Sequence, residues 1–86
     1  MPTISRFYGI LIQMYFADHA PPHFHARYAE FEALIDIRTL EILQGQLPGR
    51  ALALVLEWAQ RYRKELMEDW ELCAQNQMPK TISPLT

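Results

Sequence analysis

A single cysteine, Cys73, is all the thiol this chain contains, so no internal disulfide can form and no Cys-x2-Cys metal pair exists. Cys73 reads as core filler, and the reducing cytosol is the expected compartment. Glycine is scarce too, three in all, and no glycine-rich loop that would cradle a phosphate is present. A Ser-His-Asp order is missing, as is a recognisable helix-turn-helix. Positive charge is not in excess: 8 Lys and Arg stand against 10 Asp and Glu, a formal net charge of −2. That balance excludes a protein that coats nucleic acid by bulk electrostatics, since such binding works through many cationic contacts and the counterions they release. No apolar run reaches the ~18 residues that span a bilayer. The opening apolar stretch carries Arg6 and lacks the basic region and cleavage site of a secretory signal. A soluble cytoplasmic protein, away from membranes, is the expectation.

What is present is hydrophobic: 50% of 86 residues, enough for one modest core and not for two. One domain over 1–86 is expected, with a sheet region at about 4–43, a helical region at about 48–76 and a tail at 77–86. Between Ile4 and Phe16 both alternating sets of positions are rich in apolar residues, so Tyr8 to Phe16 reads as a central strand covered on both faces, with Gly9 marking a bulge or a close backbone approach. Pro21 and Pro22 fix φ and remove amide donors, which makes Asp18 to Pro22 a rigid loop. His23 to Tyr28 alternates, with Phe24, Ala26 and Tyr28 on one face and His23, His25 and Arg27 on the other. Phe31 to Ile37 alternates again. A two-residue turn at Ala29-Glu30 would set Arg27 opposite Glu32, His25 opposite Leu34 and His23 opposite Asp36. A third pairing, Leu40 to Leu43, follows a turn at Arg38-Thr39.

Pro48 suits a first helical residue. Leu52, Val55, Ala59, Tyr62, Leu66, Trp70 and Cys73 then recur at steps of three and four, predicting one helix to about Gln75, or two if the chain breaks near Arg61 to Lys64. Its apolar face would pack on Phe24, Tyr28, Phe31 and Ile35. The expected fold is therefore α+β: a small antiparallel sheet of three to four strands packed against one long C-terminal helix, kinked in the alternative. The tail would lie on the sheet or on a partner. Trp58 and Trp70 read as core or interface anchors, and Arg50 as a solvated residue or a contributor to an anion site at the helix start.

The chemistry concentrates between Asp18 and Arg27. His19, His23 and His25 have the spacing His-x3-His-x-His, and three nitrogen ligands with an open position would suit zinc or another divalent metal, once the loop folds His19 back over the strand. A second reading needs no metal. His23 and His25 would serve as general base and acid, Arg27 as phosphate clamp and Asp36 as the group orienting His23, for cleavage of RNA through its 2′-hydroxyl. Tyr15 or Tyr28 would stack a base. The plainest reading is a solvated polar face of His23, Arg27, Glu32 and Asp36 whose cross-strand pairs are each weak. In its functional form that face, with Phe16 and the Pro21-Pro22 loop at its rim, docks a small protein.

The opening Met-Pro-Thr-Ile-Ser-Arg-Phe-Tyr-Gly-Ile, the string Met-Tyr-Phe-x-Asp-His-x-Pro-Pro-His-Phe-His-Ala-Arg-Tyr and Arg-Ala-Leu-Ala-Leu-Val-Leu-Glu-Trp-Ala resemble a bacterial family catalogued as domain of unknown function 4160. The likeness runs over nearly the whole chain. That family's setting beside a second short gene implies a toxin-antitoxin-like module. In it this chain would be the effector, acting on RNA, and its partner a small protein encoded nearby; a second copy of the chain is the alternative partner. The family's signature falls here on Asp18, His19, Pro21, Pro22, His23, Phe24 and His25, then on Glu32, Asp36 and Leu40, and the resemblance brings no catalytic role for them. At Ala29 the sequence departs from the glycine that relatives carry in the tight turn.

Overall fold

Tyr8 and Gly9 fold the apolar opening run back on itself. Both take positive φ, +50° and +80°, the pattern of a two-residue hairpin turn whose twist matches its strands. The computed structural model, which describes residues 1–86, accordingly has β1 (Thr3–Phe7) paired antiparallel with β2 (Ile10–Gln13). The single strand expected over Tyr8 to Phe16 is thus part of a hairpin, and Gly9 sits in its turn rather than in a bulge.

β3 (His23–Tyr28) and β4 (Phe31–Asp36) pair in the expected register, with Arg27 opposite Glu32, His25 opposite Leu34 and His23 opposite Asp36. Ala29 takes φ +52° in the turn between them, which explains why glycine suits that position. The third pairing is displaced from Leu40–Leu43. Leu40 takes φ +63° and donates its amide to the Asp36 carbonyl at 2.8 Å, so it ends the turn. β5 follows as Ile42–Gly45. The sheet therefore has five strands rather than three to four, in the order β1-β2-β3-β4-β5. At Gly45, with φ +81°, any Cβ would collide with the Glu32 carbonyl oxygen. Gly45→Ala is expected to cost about 2–3 kcal/mol through strain and displaced backbone, read as a lower urea midpoint at unchanged slope.

Two helices stand where one long one was expected: α1 (Gly49–Arg61) and α2 (Arg63–Ala74). The break is Tyr62, at φ −112° and ψ 26°, inside the interval that the alternative reading named. Hydrogen bonding continues across it, from the Tyr62 amide to Trp58 O at 3.1 Å and from the Leu66 amide to Tyr62 O at 2.9 Å. Arg63 Nε donates to Ile37 O at 3.1 Å, tying the joint to the end of β4. Pro48 precedes the first turn of α1 as its cap residue instead of occupying its first position.

Nineteen buried apolar residues form the core. In β3 and β4, Phe24, Ala26, Ala33 and Ile35 face it, beside buried residues of β1 and β2, whereas Phe31 is half-buried and Tyr28 exposed, so the packing face is shifted from the one expected. At its centre Trp58 meets the rings of Phe7, Phe24 and Tyr62, with centroids 5.3, 6.0 and 5.9 Å away. The tail lies on the domain itself. Ile82 donates its amide to Ile4 O at 2.7 Å, Trp58 Nε1 donates to Ser83 O at 2.8 Å, and Asp69 Oδ1 accepts the Lys80 amide at 2.9 Å. No helix is long and apolar enough to cross a membrane.

Candidate metal centre

His23 opens β3 and His25 follows two residues on, so strand alternation puts both imidazoles on one face. That face is covered, and each histidine is only 6% exposed. The Tyr15 ring lies parallel to His25, centroids 4.2 Å apart and planes 5° apart, and Trp70 of α2 sits 5.2 Å from the His23 ring. A solvated polar face is therefore not what β3 presents here. The loop after β2 is held to α2 by the Ala17 amide, which donates to Cys73 O at 2.9 Å. It carries Asp18 inward, placing Oδ2 3.0 Å from His23 Nε2 and 3.5 Å from His25 Nε2.

The outer ring nitrogens are both engaged. His23 Nδ1 donates to Pro21 O at 2.8 Å and His25 Nδ1 to Glu32 Oε2 at 3.1 Å. A carbonyl and a carboxylate only accept, so each Nδ1 carries the hydrogen, and a neutral imidazole then presents a lone pair at Nε2. Asp18 Oδ2 and the two Nε2 atoms converge, one ligand atom from each residue and all within 4.8 Å of one another, and since Oδ2 only accepts, a proton must sit on Nε2 wherever no metal does. Positive charge is what such a spot requires, supplied by protons on the rings or by a cation. Tetrahedral bonds of the usual zinc length would set ligand atoms about 3.3 Å apart, between the two Asp18 to histidine separations. Acceptors on Nδ1 are also the ordinary outer support of metal-binding histidines.

Burial raises the Asp18 pKa, but the His19 amide, 2.8 Å from Oδ1, together with His25 and His23 more than offsets it, and the carboxyl ends below its usual 3.8. A carboxyl lowered in the folded state contributes stability that is present above its unfolded pKa and lost as pH falls through the folded one. Metal-free protein is thus expected to lose stability below about pH 4, and Asp18→Asn to flatten that loss, as measured by urea unfolding across pH.

The remaining site residues from the sequence are dispersed. His19 is exposed and contributes its backbone, so the group that joins His23 and His25 is Asp18. Asp36 faces His23 in register but its Oδ1 accepts the amides of Arg38 and Thr39, at 2.7 and 3.1 Å. The orienting task expected of it falls to Pro21 O and Asp18. Arg27 is exposed and makes no ion pair, because Glu32 across the ladder turns to His25. Phe24 belongs to the core; Pro21 is exposed and Pro22 buried, its carbonyl accepting the Ile37 amide at 3.0 Å. Trp70 was legible as a member of the helix stripe and as a core or interface anchor, and not as a neighbour of His23. Gln13, opposite His25 on β2, also went unread, and its buried Oε1 has no partner.

Comparison with curated proteins and with solved structures gives no match. A family model described as "Domain of unknown function (DUF4160)" matches residues 9–71.

Proposed function

Since the chain belongs to the DUF4160 family, whose description names no activity, we propose its function from the site: a divalent-metal protein holding the ion through Asp18, His23 and His25. The observation that carries this reading is the convergence of both Nε2 atoms on one carboxylate oxygen while both Nδ1 atoms are engaged elsewhere. Two imidazoles and a carboxylate suit zinc or iron(II), and three protein ligands leave a position free, as in catalytic centres. A zinc ion so bound would lower the pKa of a water in that position to about 7 and supply a hydroxide nucleophile. Tyr15 and Trp70 narrow the access of bulk water around the rings, which strengthens charge interactions there.

Elemental analysis of protein exchanged into metal-free buffer and reloaded with zinc tests the reading. One equivalent is expected in the wild type and well under half of that in His23→Ala and Asp18→Asn. A wild type that retains no zinc would show that protons satisfy the three acceptors and would end the proposal.

A metal-free attack on RNA by His23, His25 and Arg27 has less support, given rings only 6% exposed beside an arginine that points into solvent. The toxin-antitoxin setting is a proposal about role that rests on the resemblance. Its test is expression alone in a bacterial host, with growth arrest expected from wild type, none from His23→Ala, and relief by the neighbouring protein.

A further inference from the structure

At the end of the sheet away from Asp18, where both the Tyr8-Gly9 and Ala29-Glu30 turns lie and α1 begins, there is a cavity of about 270 Å³. Ile10, Ala51 and Leu54 give it an apolar lining, and Tyr8, Tyr28 and Arg50 complete it. Ile10 and Ala51 are buried, whereas Tyr8 is 61% and Tyr28 36% exposed. The Tyr28 ring lies over the turn, near enough that a Cβ on Gly9 would stand 3.4 Å from Cε1.

Tyr8 is costly where it stands. The first place of this turn favours asparagine, aspartate or glycine, and a bulky residue at positive φ is rare. Its ring does not repay that cost in the core, being mostly in solvent. Arg50 is exposed and makes no ion pair, and the first turn of α1 contains no acid to neutralise it. Two aromatic faces, an apolar floor and an unopposed guanidinium thus share one small cavity. The volume lies just under the ~300–1,000 Å³ of drug-sized sites, so it accommodates a single ring with a short substituent and excludes a dinucleotide.

We propose that this cavity binds a small aromatic anion, its ring against Tyr8 and Tyr28 and its carboxylate or phosphate on Arg50. The site is independent of the metal proposal, being built from other residues at the other end of the strands.

Amide chemical-shift titration with phenyl phosphate tests it, with benzoate as the carboxylate probe and phenol and inorganic phosphate as single-feature controls. Saturable shifts at Tyr8, Tyr28 and Arg50 are expected for the two aromatic anions, and at least about tenfold weaker binding for each control, since each lacks either the stacking or the charge-assisted contact. Arg50→Ala should weaken phenyl phosphate by about tenfold. Tyr8→Asn should weaken it similarly while preserving the spectrum elsewhere, because asparagine suits the turn and removes only the ring. Inorganic phosphate binding as well as phenyl phosphate, unchanged affinity in both variants, or no shifts at these residues would each overturn the proposal.

Discussion

Zinc added to the metal-free protein is expected to raise its melting temperature by roughly 10–20 °C, and His23→Ala to abolish the rise. A ligand that binds only the folded state at one hundred times its dissociation constant adds about 2.7 kcal/mol, and a domain of this size gains about 4–8 °C per kcal/mol. The comparison is the zinc-dependent increment within each variant, because removing a ring packed on Trp70 also lowers the starting point. Glu32→Ala separates the ligands from their support. It deletes the acceptor on His25 Nδ1 and should weaken zinc by about 10–100-fold while leaving the stoichiometry at one. Affinity should fall toward acid pH, where protons compete for the same lone pairs. Identical melting curves with and without zinc in the wild type would refute the metal reading.

Trp58→Ala is expected to remove about 3–5 kcal/mol, a large fraction of the ~5–15 kcal/mol that holds a small domain folded. The indole is fully buried, and its truncation leaves a space among Phe7, Phe24 and Tyr62. The same substitution releases the tail, whose Ser83 carbonyl accepts the indole N–H. Trp58→Phe keeps most of the apolar contact and loses that hydrogen bond, so a smaller loss of about 1–2 kcal/mol should follow. Urea unfolding reads both. Hydrogen exchange at the Ile82 amide, bound to Ile4 O, should quicken in each. A cost under about 1 kcal/mol for the alanine variant would contradict the packing described.

The β3–β4 ladder was legible because its polar and apolar residues alternate, and a one-residue slip would turn both histidines of β3 into the core. β1 and β2 merged in the sequence because their alternating sets are both apolar and their reversal rests on a tyrosine in the left-handed region. The joint at Tyr62 was legible only as an alternative, since a helix whose hydrogen bonds run across the break keeps its period of 3.6. In the site, alternation set His23 and His25 side by side. Asp18 and His19 are neighbours, however, and only the path of the loop decides that the carboxylate turns in while the ring turns out. Glu32 shows the same limit: the ladder sets it opposite Arg27, yet it bonds the diagonal neighbour His25.

The docking of the tail also limits what the sheet can become. With Ile82 bonded to Ile4, the β1 margin is occupied by the protein's own chain, whereas β5 is exposed along its whole length and leaves a row of peptide groups without a neighbour. Strand addition is therefore open on one side only. Two copies joined β5 to β5 about a two-fold axis would consume the open margin of each, and the assembly would stop there as a closed pair with no template left for fibre growth.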